Sequence, residues 1–139
     1  MIDSLITHAG ILHLAGNLLV LAICWPSLAG ALGAGRAALL LAATGIAANT
    51  AAAALTGRPV IGLSAAASAA MAAHLTLHGN SRPMGCHVAV LALAWLGPQL
   101  MLATLGATFG GIAWPAHLIG AALGALGAHW LRRRAATPL

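Results

Sequence analysis

Lysine, glutamate and tyrosine are absent from this sequence, aspartate occurs once, at Asp3, and all six basic residues are arginine. Charged residues make up 5% of 139 positions, where a soluble domain has about a quarter. That excludes an ordinary water-facing surface. The two cysteines, Cys24 and Cys86, are too few and too far apart for a disulfide framework or a metal knuckle, and no metal or cofactor is expected. The apolar stretches lack the alternation that a β-barrel needs.

What is present is apolar: 61% of the residues are hydrophobic. Breaks fall at Trp25-Pro26, Gly33 to Arg36, Gly57-Arg58-Pro59, Gly79 to Gly85 and Thr108 to Gly111. They leave segments near residues 5–25, 37–56, 60–78, 86–107 and 111–131, each near the roughly 20 residues that span a bilayer. The expected fold class is an all-α, polytopic transmembrane helix bundle with five spans, forming a single domain over residues 1–139. No cleavable leader is evident before the first span.

The net charge of +5 includes a C-terminal run, Arg132, Arg133 and Arg134, directly after an apolar segment. Lipid headgroups explain that placement better than nucleic acid does, so the bilayer is the expected partner and nucleic acid is not. With the N-terminus outside, Arg36, Arg82 and the terminal triplet fall inside and only Arg58 outside, in keeping with the positive-inside bias. The bias toward Ala, Gly and Arg suggests a GC-rich bacterial genome. The expected location is the bacterial inner membrane, with a cytoplasmic C-terminus.

Polar side chains inside spans are costly, so their depth is informative. Under this orientation the first span carries His8, His13 and Asn17 in its outer half, the third Ser64 and Ser68, and the fifth His117. A hydroxyl, an imidazole and hydrogen-bond donors at one depth are the parts of an acyl-transfer site. His13 and Asn17, four apart, share a helix face, and Gly62 gives the backbone before Ser64 freedom to aim an amide. Because Asp3 precedes the first span, no carboxylate is available for a triad, and the site reduces to a Ser-His dyad. Gly120 and Gly124 lie on the face of His117 and allow close helix packing. Individually, a serine in a membrane helix more often bonds its own backbone, and a histidine more often fills a helix contact; the case rests on their convergence. His74 and His78 have a spacing that could hold a metal but lack a third ligand on that helix. Trp25, Trp95, Trp114 and Trp130 read as interfacial anchors or packing, with Trp95 too deep for a belt, and Pro98 as a kink in the fourth span.

The stretch from His8 to Asn17, HAGILHLAGN, resembles the H-x4-H-x3-N signature of the rhomboid family at its second transmembrane helix. Ala31 to Arg36 resembles the loop that follows; Gly62-Leu63-Ser64-Ala65 takes the place of the G-x-S-G motif; Ala116-His117-Leu118-Ile119-Gly120 with Gly124 is similar to the final A-H-x-x-G-x-x-x-G helix. Order and spacing agree from about residue 4 to residue 131. The resemblance implies an intramembrane serine protease with Ser64 as nucleophile, His117 as base, His13 and Asn17 lining the oxyanion hole, and His8 supporting the structure, together with single-span membrane proteins as substrates. Its six-helix core has a first helix with no counterpart here. Ala65, Ala69 and Ala72 stand where the family often has glycine, which would hold the third helix away from its partner. The alternatives are a rhomboid-like protein without activity that binds transmembrane clients, a rhombosortase-like processing protease, and a small transporter or metal-binding module.

Overall fold

The computed structural model of the protein describes residues 11–79, 81–104 and 113–136. Among them lie five α-helices: α1 (Ile11–Leu32), α2 (Ala34–Thr56), α3 (Ser64–His78), α4 (Val88–Thr104) and α5 (Trp114–Ala136), with a 3₁₀ turn at Pro83–Gly85 and no strand. The helical bundle expected from the sequence is the fold observed. By length and composition α1 and α2 could each cross a membrane, and α4 contains a shorter apolar stretch, Val88–Pro98.

The helix boundaries differ from the expected ones in instructive places. α1 does not stop at Trp25-Pro26 but continues through Pro26 to Leu32. In lipid a break leaves backbone groups without partners, so a proline is accommodated within the helix; the Ser27 hydroxyl donates to the Cys24 carbonyl beside it, at 2.9 Å. The reversal comes at the single residue Gly33, with φ 84° and ψ 143°, a region that glycine enters without steric cost. α3 begins at Ser64 and not near residue 60, because Gly62 turns the chain at φ 107°.

Contacts at the two ends fix the helix directions. Asn49, late in α2, donates to the Gly62 carbonyl just ahead of α3, at 3.2 Å. At the opposite end His78 Nε2 donates to the Ser27 carbonyl at 3.2 Å, and Arg132 donates to the Leu77 carbonyl at 3.5 Å. α1, α3 and α5 therefore run one way and α2 the other.

α3 occupies the centre. Every residue from Ser64 to Met71 is buried, as are Ala73 and His74, the pattern of a helix surrounded on all sides. Alanine and serine allow this because small side chains let neighbouring backbones approach. Many large apolar side chains on the surrounding helices point outward: Leu12 is 85%, Leu55 74% and Leu93 72% exposed. Such a surface suits lipid as its solvent.

Far from Ser64, His74 is fully buried with Nδ1 2.7 Å from Ser27 Oγ and Nε2 3.1 Å from Ser81 Oγ. Its ring lies 5.2 Å from that of His78. Both His74 nitrogens are engaged by hydroxyls, and the pair joins α1 to α3.

Candidate active site

α3 and α5 meet backbone to backbone. A methyl placed on Gly120 would collide with the Ala65 carbonyl, and one on Gly124 would collide with the backbone of Ala69. Both pairs step by four residues, so the helices lie side by side in register. That register sets the first turn of α5, with His117, against the turn that ends in Ser64. Pro115 near the start of α5 has the fixed φ suited to a first helical turn, and the Ala116 amide closes that turn on Ala113, at 2.9 Å. The alanines at 65 and 69 do not hold the helices apart as expected, because the glycines on α5 supply the missing space.

Ser64 is the first residue of α3 and is 3% exposed. Its amide is one of the four that a helix start leaves without an intrahelical partner, at the end where the helix dipole is positive. The Ser68 hydroxyl donates to the Ser64 carbonyl at 2.8 Å, and the Trp95 indole N–H donates to Ser68 Oγ at 3.0 Å. The Trp95 ring centre lies 6.0 Å from that of His117, tilted by 47°. His117 is 7% exposed, and its Nδ1 has no hydrogen-bond partner among the described residues.

α1 contributes two further groups. His13 lies within electrostatic reach of His117. Asn17 is fully buried, and among the described residues neither its amide nitrogen nor its oxygen has a partner. An unbonded amide in the interior is costly, so its retention here calls for a reason. His8 lies outside the described residues.

Two residues of the site were not singled out for it from the sequence. Asn49 is buried on α2 and holds the Gly62 carbonyl, and hence the turn before Ser64; a lone amide in an alanine-rich span was the available signal. Trp95 was marked only by its depth. Ala48, Ala52, Val60, Ala65 and Ala116 form a small apolar cluster at this end of the bundle.

The site residues are thus a buried hydroxyl at the start of α3, a buried imidazole in the first turn of α5 and a buried, unbonded amide on α1. Neither a curated protein nor a solved structure matches the chain. The family model described as Rhomboid domain matches residues 1–134, nearly the whole length. The protein is thus a member of the rhomboid family, integral membrane proteins that include serine proteases acting on transmembrane substrates within the bilayer.

Proposed function

We propose that the protein is an intramembrane serine endopeptidase using Ser64 and His117, and that it cleaves single-span membrane proteins near the outer, periplasmic face of a bacterial inner membrane, with its C-terminus cytoplasmic. The observation that carries this reading is the register of α5 on α3, which brings the first turn of one onto the first turn of the other. In the reaction Ser64 Oγ attacks the scissile carbonyl and its proton passes to His117. The oxyanion then gains the Ser64 amide and the Asn17 side chain as donors, with His13 beside them. His117 returns the proton to the departing amine, and water, activated in the same way, releases the acyl group from Ser64. This role also explains why Asn17 is kept buried and unbonded: its partner is the transition state.

The test is labelling by a fluorophosphonate probe in native membranes. The parent is expected to label, and Ser64→Ala and His117→Ala are expected not to. A folded parent that fails to label would favour a family member without activity that binds transmembrane clients.

A further inference from the structure

In a Ser-His-Asp triad a carboxylate on the far ring nitrogen fixes the imidazole and stabilises the imidazolium formed in the reaction. This chain has one carboxylic side chain, Asp3, and His117 Nδ1 is buried without a hydrogen-bond partner among the described residues. Something other than a carboxylate must then set the ring, and in this structure an aromatic ring lies against it. The centres of Trp95 and His117 are 6.0 Å apart at 47°, within the range and tilt of a favourable aromatic pair. Trp95 is itself fixed. Its N–H, a group that can only donate, is held at 3.0 Å by Ser68 Oγ, and the Ser68 proton is committed to the Ser64 carbonyl at 2.8 Å.

We infer that Trp95 is a positioning residue for His117, supplying through its ring and its Ser68 anchor the orientation and cation stabilisation that a carboxylate supplies in a triad. The inference rests on the protease reading above. The chain of contacts runs from the backbone of the nucleophile through Ser68 to Trp95 and on to the base, so one network ties the positions of Ser64 and His117. When His117 takes the Ser64 proton it becomes a cation beside an indole, the aromatic group that attracts cations best. The pairing therefore strengthens as the proton moves, which is when stabilisation counts toward rate.

The experiment measures the rate at which a fluorophosphonate modifies Ser64 across a pH range, in detergent, for purified parent, Trp95→Phe, Trp95→Leu, Ser68→Ala and the double variant Trp95→Phe/Ser68→Ala. In this reaction a Ser64 Oγ–phosphorus bond forms, the phosphorus–fluorine bond breaks, fluoride leaves and the serine proton goes to His117. Trp95→Leu is expected to slow modification about tenfold per folded molecule and to change its pH profile, since the ring that faces the imidazolium is gone. Trp95→Phe keeps an aromatic face and should recover most of the rate. Because Trp95→Phe and Ser68→Ala remove the same hydrogen bond, the double variant should be no slower than the slower single one.

A rate and pH profile in Trp95→Leu equal to those of the parent would overturn the inference, whatever happened to its thermal stability. A parent that is not modified would sink the protease reading alone. The Trp95 contact is then decided by nuclear magnetic resonance of ring-labelled histidine, with the His117 signal identified by His117→Gln. Trp95→Leu should displace that signal and change its pH titration, and an unmoved signal would overturn the inference independently.

Discussion

The α-carbon of Gly124 is seated on the backbone of Ala69 so closely that no side chain fits between them. Backbone cannot rotate aside, so Gly124→Ala should force α5 away from α3 and cost about 1–3 kcal/mol, the usual penalty of overpacking. Gly127 makes an informative contrast, since a methyl there would meet only the end of the Leu40 side chain, which can change rotamer. Thermal unfolding in detergent should show Gly127→Ala losing clearly less stability than Gly124→Ala. Equal losses would mean that the glycine contact does not set the helix spacing.

Removing the nucleophile or the base should have the same result. Ser64→Ala and His117→Ala are each expected to abolish cleavage of a single-span substrate while leaving the protein folded and inserted. The double variant should be no worse, because members of one catalytic unit do not contribute additively. Substantial turnover by Ser64→Ala would remove it from the role of nucleophile.

Asn17 offers a separation of function from stability. Its unbonded amide burdens the folded state, so Asn17→Leu, similar in volume and apolar, should be as stable as the parent or more so. The same change deletes an oxyanion donor and should lower turnover about a hundredfold or more. A variant that lost stability and kept its turnover would show Asn17 to be a structural residue.

For Asn49 the expected signs differ. Asn49→Leu breaks the bond to the Gly62 carbonyl, costing about 1 kcal/mol, and it releases the turn that aims the Ser64 amide. Fluorophosphonate labelling of the folded variant should fall more steeply than its unfolding temperature suggests. If labelling per folded molecule is unchanged, the turn keeps its shape without Asn49.

Much of this was legible in the sequence because polar residues are conspicuous among apolar ones. The helical class followed from length and hydropathy; His8, His13, Asn17, Ser64, Ser68 and His117 were grouped by their shared depth, and the resemblance implied the roles of Ser64, His117, His13 and Asn17. What stayed hidden depends on which faces meet. Trp95 is one apolar residue among many on α4, and only the packing of α4 against α3 and α5 gives its ring a histidine and its N–H a serine. The alanines at 65 and 69 misled for a similar reason. The space between two helices is set by both, and the glycines that restore it are more than fifty residues away in the chain. Pro26 misled because proline ends helices readily in water and far less readily in lipid.

The central position of α3 has a consequence for how the protein enters its membrane. At 15 residues the helix is about 22 Å long, short of the roughly 30 Å hydrocarbon core, and it is made largely of alanine with serine and histidine. Such a segment has little reason to leave the insertion machinery for lipid by itself. It needs α1 and α2 already in place to receive it, and α5 afterwards to enclose it. Biogenesis is thereby coupled to chain order: the helix bearing Ser64 becomes a stable transmembrane element only as its neighbours assemble. The same shelter relieves it of the demand for greasiness that bilayer contact imposes, which is why it can carry Ser64, Ser68 and His74 in its buried stretch.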